Sequence, residues 1–207
     1  MTEIQYTILT HQRCKDVAEL LATCFPDMPI EDQYTQEELE EVATVFPEGT
    51  VIALENGRVV GMGTGVFIDI EFDNLPPTEN QLLYNANDML IHYPEGRYYY
   101  GSDLAVHPEC RGRGIAREIY NHRKALVINQ GKKGFAAAAV LPGYETFIGQ
   151  LDIQSYLDKV VAGELFDPTL SVQLRNGFKL IRPIKDFFTY PRSNNWSALI
   201  LWENPNR

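Results

Sequence analysis

Residues 103–123, DLAVHPECRGRGIAREIYNHR, place an apolar strand, a glycine-broken arginine cluster and an amphipathic helix in direct succession. No other stretch restricts the fold as much. A strand delivering backbone into R-G-R-G and then into a helix has the design of an anion site. The first N–H groups of a helix lack intrahelical partners and carry the positive end of its dipole. Gly112 and Gly114 allow a ligand to approach bare backbone, and Arg111 and Arg113 supply charge-assisted donors. The stretch asks for a phosphate and for a sheet–helix unit to present it, which puts the chain in the α/β class.

The surrounding charge makes that cluster conspicuous. The 207 residues carry a formal net charge of −10, which argues against a nucleic-acid partner. Residues 1–96 hold 18 acids against 3 bases, whereas 97–207 hold 10 acids against 15 bases. The cations are therefore local, gathered where the helix begins. At 44% hydrophobic and 22% charged residues the composition is that of one globular domain. No apolar run approaches the roughly eighteen residues of a membrane span. The first residues, MTEIQYTILTHQ, have the pattern of neither a signal nor a transit peptide. Cys14, Cys24 and Cys110 form no C-x-x-C pair and are odd in number, so the expectation is a reduced, cytoplasmic protein without disulfides.

Upstream, residues 14–25 have helical apolar spacing until Pro26 and Pro29, and Thr35 with Glu38 forms a capping box for a second helix to about Phe46. Asn56-Gly57 between two β-rich runs predicts a type I′ hairpin. Gly61, Gly63 and Gly65 strip one face of its second strand, so a ligand or another backbone lies close there, or the strand bends. Residues 71–96 read as an acidic insertion with a helix at 79–91. Downstream of the 112–129 helix, whose stripe reads Ile115, Ile119, His122, Leu126 and Asn129, the stretch FAAAAV (135–140) is a buried strand. Residues 141–168 form a second insertion, partly helical around 152–162. A short helix then stops at Gly177, and two strands close the chain.

Two phosphate loops fail on spacing. A P-loop needs G-x-x-x-x-G-K-[ST], and no such lysine follows either glycine. The dinucleotide fingerprint needs Gly or Ala where Arg117 stands, and an acid where Lys132 and Lys133 stand. The stretch L-A-V-H-P-E-C-R-G-R-G-I-A instead resembles the acetyl-CoA motif of the GCN5-related N-acetyltransferases, [Q/R]-x-x-G-x-[G/A], filled by Arg111, Gly114 and Ala116. The order of elements is similar over nearly the whole chain. FPEG (46–49), YGSDLAVHPECRG (100–112), PGY (142–144), 156–178 and LWEN (201–204) also look like a branch of that superfamily often joined to a carbon–nitrogen hydrolase (nitrilase-type) domain.

The resemblance implies a single mixed, mostly antiparallel sheet of about seven strands flanked by helices, and direct transfer of an acetyl group from acetyl-CoA to a small-molecule amine. It implies that Leu104, Ala105 and Val106 bind the pantetheine arm through their backbone, and that Arg111, Gly112, Arg113, Gly114, Ile115 and Ala116 hold the pyrophosphate. A base must take the amine proton. Asp103 is the one carboxylate on the motif strand, although simple alternation sets Tyr100 and Ser102 on one face and Asp103 on the other unless a bulge intervenes. The superfamily's acid, a tyrosine, falls on Gln173, which leaves Tyr144 as first candidate and Tyr156 as second. His107 and Cys110 are too few for a metal set, and no metal is expected. Residues 71–96 and 141–168 would wall the acceptor pocket. Glu71, Asp73, Glu79, Asp88 and Glu95 lean toward a cationic amine. A homodimer, a functional link to a carbon–nitrogen hydrolase, and a non-catalytic acetyl-CoA sensor all stay open at this level.

Overall fold

The computed structural model describes residues 3–26 and 33–207; Pro29 lies outside them. Seven strands form one sheet in the order β1-β2-β3-β4-β5-β7-β6. They are β1 Ile4–Ile8, β2 Val51–Glu55, β3 Arg58–Ile68, β4 Tyr98–Val106, β5 Gly134–Val140, β6 Lys179–Lys185 and β7 Trp196–Glu203. Every neighbouring pair is antiparallel except β4 with β5. Among the described residues six α-helices flank the sheet: α1 Cys14–Cys24, α2 Gln36–Val45, α3 Glu79–Leu83, α4 Ile115–Asn129, α5 Ile153–Val161 and α6 Leu170–Arg175.

Local chemistry sets most boundaries. Asn56 and Gly57 take φ of 50° and 80°, as a type I′ turn demands. The Thr35–Glu38 capping box is complete in both directions. Edge strand β1 was absent from the sequence reading, because IQYTI is short and half exposed and gains strand character only by pairing with β2. The helix expected over 79–91 ends at Leu83. Asn85 turns its side chain onto the N–H groups of Asn87 and Met89, and Asp88 takes a φ of 55°, so Asx turns replace the helix.

The buried stripe of α4 also differs from the expected one. Ile115, Ile119, Arg123 and Val127 face the sheet, while His122 is exposed and stacks on Tyr6 at 5.1 Å. Arg123 is 2% exposed. Its polarity hid it from a reading based on apolar period. Helix α4 accounts for Gly61 and Gly63, whereas Gly65 is bare against Tyr99 and Tyr100. A Cβ at Gly61 would lie 2.9 Å from Ile115, one at Gly63 2.6 Å from Ile119 and 3.0 Å from Arg123 Nη1, and one at Gly101 would overlap Arg123 Nη2. The bare face of β3 is where α4 packs.

Candidate active site

Strands β4 and β5 pair only through Tyr98–Gly134, Tyr99–Phe135 and Tyr100–Ala136. Beyond Tyr100, β4 stays bonded to β3 through Leu104, Ala105 and Val106, while β5 follows β7. The two central strands therefore part, and a gap opens that exposes one backbone edge of β4. An extended ligand carrying amides can pair with such an edge in the manner of an added strand.

At the mouth of the gap lies the arginine loop. The His107 N–H donates to Val60 O at 2.9 Å, and a single 3-10 turn over Pro108–Cys110 leads into Arg111. Gly112 and Gly114 take φ of 75° and 83°, and Gly114 is the N-cap of α4 without any side-chain cap. The first N–H groups of α4, from Ile115 and Ala116 onward, are thus left without a capping side chain. Space around Gly112 is open: a Cβ there would meet nothing within 4 Å. Arg111 is exposed, donates from Nε to Val106 O at 3.1 Å and lies against the Cys24 thiol. Arg113 makes a bidentate pair with Glu55 at 3.1 and 2.7 Å. Cradle, dipole and cations suit a pyrophosphate, so the chain's own residues fit coenzyme A with its phosphates at α4 and its pantetheine arm along β4. Among the described residues no three His, Cys, Asp or Glu side chains gather where a metal could sit. No described helix is long and apolar enough to cross a membrane.

The other half of the site depends on a bulge. Gly63 pairs with Leu104 but Gly65 with Gly101, so Ser102 and Asp103 together oppose Thr64. The extra residue shifts the alternation of β4. Gly101 and Leu104 both face α4, whereas Tyr100 and Ala105 face the opposite layer. Ser102 and Asp103 join Tyr100 on that second face, where the Tyr34 hydroxyl meets both. Arg123 fills the back of the bulge: Nε donates to Tyr99 Oη at 2.9 Å, Nη1 to Asp103 O at 3.4 Å and Nη2 to Thr64 O. The carbonyls that the bulge releases from the ladder thereby keep a donor.

Burial raises the Asp103 carboxyl, while hydrogen bonds from Tyr34 and Ser102 and the charge of Arg123 oppose the rise. Glu79 reaches the same face from α3. Its carboxylate accepts from Tyr100 Oη at 2.5 Å, and burial, with nearby Asp103 contributing, pushes it up to about 8 despite that bond. Tyr84 stands beside Tyr34, and burial pushes its phenol up to about 12. Two contacts hold the first insertion over this face, and a cap orders its helix. The Glu79 N–H donates to Phe187 O at 2.8 Å, the Leu90 N–H donates to Glu41 Oε1 at 3.0 Å, and Thr78 caps α3.

Of the five insertion acids, only Glu79 is turned into the site. Glu71 pairs with Arg97, and Asp73, Asp88 and Glu95 are exposed. Tyr34 and Arg123 had no signal in the sequence beyond their residue types. Tyr144 is buried, and its hydroxyl donates to Leu151 O at 2.9 Å. The Tyr156 hydroxyl donates to Asp167 at 2.8 Å. That buried carboxylate also accepts from the Gly143, Thr169 and Leu170 N–H groups, each at 2.9 Å. Both candidate tyrosines therefore have their protons engaged inside the second insertion.

Residues 14–143 match the model of the acetyltransferase (GNAT) family. The chain is a GNAT-family acetyltransferase. Among relatives of this acetyltransferase is a Bacillus subtilis protein named as an uncharacterized N-acetyltransferase, YkwB, 29% identical over 182 residues that cover 87% of this chain and 80% of that one. A second, the probable hydrolase YhcX of the same bacterium, is 26% identical over 190 residues, 91% of this chain but 36% of that protein. This chain thus spans about a third of that relative. Among solved structures, a GNAT-like decarboxylase, GphF, in complex with isobutyryl-CoA superposes with a TM-score of 0.75 at 17% identity, covering 97% of this chain and 99% of that one. At that identity the likeness concerns the fold. The seven-stranded sheet with its parted central strands is the GNAT architecture.

Proposed function

We propose that this acetyltransferase transfers an acetyl group from acetyl-CoA directly to the amine of a small molecule, with Asp103 as the base. The observation that carries the reading is the bulge. It turns the Asp103 carboxylate onto the acceptor face while the backbone of Leu104, Ala105 and Val106 still lines the gap for the thioester arm. Arg111, Gly112, Arg113, Gly114, Ile115 and Ala116 hold the pyrophosphate at the start of α4.

The amine arrives as an ammonium ion and must lose a proton before it can attack. A carboxylate raised by burial accepts that proton more readily than an exposed one. Tyr34 and Ser102 orient it. The freed amine attacks the thioester carbonyl, the tetrahedral intermediate collapses, and CoA leaves as the thiol. Tyr34, Tyr84 and Tyr100 supply aromatic walls, which suit a cationic acceptor. Tyr144, tied to Leu151, shapes the wall of the second insertion. The YhcX relative, in which a domain like this one is about a third of a longer hydrolase-named chain, supports a functional link to a carbon–nitrogen hydrolase.

The test is a thermal-shift titration with acetyl-CoA, followed by thiol release with a panel of small amines. A native-state ligand raises the melting temperature, and no shift at millimolar acetyl-CoA overturns the reading. Binding without thiol release on any amine would leave only a CoA-binding role. Asp103→Asn is expected to lower kcat by about 10²-fold or more and to remove the acid limb of its pH profile.

A further inference from the structure

Glu79 is the acid of the first insertion that reaches the acceptor face, and its surroundings suit a neutral carboxyl group better than a carboxylate. Its backbone is fixed, because Thr78 caps α3 and the Glu79 N–H donates to Phe187 O at 2.8 Å. Its Oε1 accepts from Tyr100 Oη at 2.5 Å. Tyr100 is fully buried and belongs to the last rung shared by β4 and β5, Tyr100–Ala136. The carboxyl group is therefore held beside the inner end of the gap.

Among the described residues no lysine, arginine or histidine pairs with Glu79. A carboxyl with one hydroxyl donor, no cation and a second carboxyl on the same face keeps its proton more readily than one in water. The neighbours decide which of the two does so. Asp103 has the Tyr34 and Ser102 hydroxyls and the charge of Arg123, whereas Glu79 has the Tyr100 hydroxyl alone and is pushed up to about 8 by burial. The single Tyr100 hydrogen is engaged by Oε1, which leaves the Glu79 proton to Oε2. Glu79 is half-buried, and Oε2 is not among the fully enclosed atoms that lack a partner. It therefore lies on the open side of the acceptor face. There it presents a hydrogen to an oxygen and nothing to an ammonium ion.

We propose that the acceptor amine also carries a neutral oxygen (a hydroxyl, ether or carbonyl), and that Glu79 Oε2–H donates to this oxygen while Asp103 takes the ammonium proton. The substrate class is then an amino alcohol or a similar oxygen-bearing amine, not a diamine or a plain alkylamine. The proposal rests on the acetyl-transfer reading above and deepens it. Glu79 forms and breaks no covalent bond to the substrate. It fixes the far end of the acceptor, so that the nitrogen meets the thioester at the height of Asp103.

The test is thiol release from acetyl-CoA with aminobutanol and pentylamine, which have one length and nitrogens that titrate alike, and with diaminobutane as the rival. Shorter and longer homologues of each cover other spacings. At about pH 7 the amino alcohol should exceed the alkylamine in kcat/KM by about tenfold. That preference should fall toward unity by about pH 9, as Glu79 ionises through about 8. Taking the ratio of the two amines cancels the titration of Asp103, Tyr34, Tyr84 and Tyr100, which share the face. Glu79→Gln still donates from its amide and should keep the preference at both ends of the range. Glu79→Met has similar length without a donor and should lose it at both. A thermal shift with acetyl-CoA checks that each variant is folded, and wild type alone decides if one is not. A wild-type preference for the alkylamine or the diamine, or one for the amino alcohol that stays constant with pH, overturns the proposal while the acetyl-transfer reading stands. No thiol release with any amine removes both.

Discussion

Glu79 makes the folded state pH-sensitive in a direction opposite to most carboxylates. An ordinary glutamate titrates at 4.5, and Glu79 at about 8. The folded protein therefore holds a proton that the unfolded chain has released. Below pH 4.5 the group has no effect on stability; as pH rises from about 4.5 to about 8 the folded state loses ground, and above 8 the loss is constant. Each pH unit across that interval is about 1.4 kcal/mol, so a fully dry site would lose about 5 kcal/mol. Glu79 is only half-buried, and water at its open side reduces the figure to about 2–3 kcal/mol. Glu79→Gln keeps an oxygen for the Tyr100 hydroxyl and removes the titration. Urea unfolding of both proteins from pH 4 to pH 9, compared as a difference, cancels the other titrating groups. The difference should be near zero at the acid end and favour Glu79→Gln by about 2–3 kcal/mol at the alkaline end. A flat difference, or one that favours wild type as pH rises, refutes the reasoning.

Gly101→Ala would drive a methyl group into the Arg123 guanidinium and the Phe135 ring, and a cost of about 2–4 kcal/mol is expected in chemical denaturation. Arg111→Ala removes a cation beside the Gly112–Gly114 cradle and should weaken CoA binding by about tenfold in calorimetry, with a small effect on stability because Arg111 is exposed.

Much of the arginine loop's conformation was legible because it is written in local terms. A strand, two glycines, an arginine and a helix start are contiguous, and each acts through backbone conformation or nearest-neighbour charge. The hairpin at Asn56-Gly57 and the cap at Thr35 were legible for the same reason. The acceptor half was not. Asp103 was visible as the one carboxylate on its strand, but its face depends on how β4 pairs with β3, and a bulge leaves no mark in residue types. Tyr34 and Glu79 come from the flank of one helix and from another, and Tyr34 lies 69 positions before Asp103.

The chain by itself determined an α/β sheet–helix unit with an anion-binding turn, because glycine conformations, helix ends and alternating strands are set by interactions within a few residues. Tertiary structure decided where the chemistry sits. Arg123, which reads as a surface residue, became the buried wedge behind the bulge, where it donates to the Asp103 and Thr64 carbonyls. The same packing required Gly63 and Gly101 to be bare, and the phase shift of β4 brought Asp103 to the face of Tyr34, Tyr100 and Glu79. Those outcomes follow from burial and hydrogen-bond satisfaction between distant segments, which no local pattern encodes.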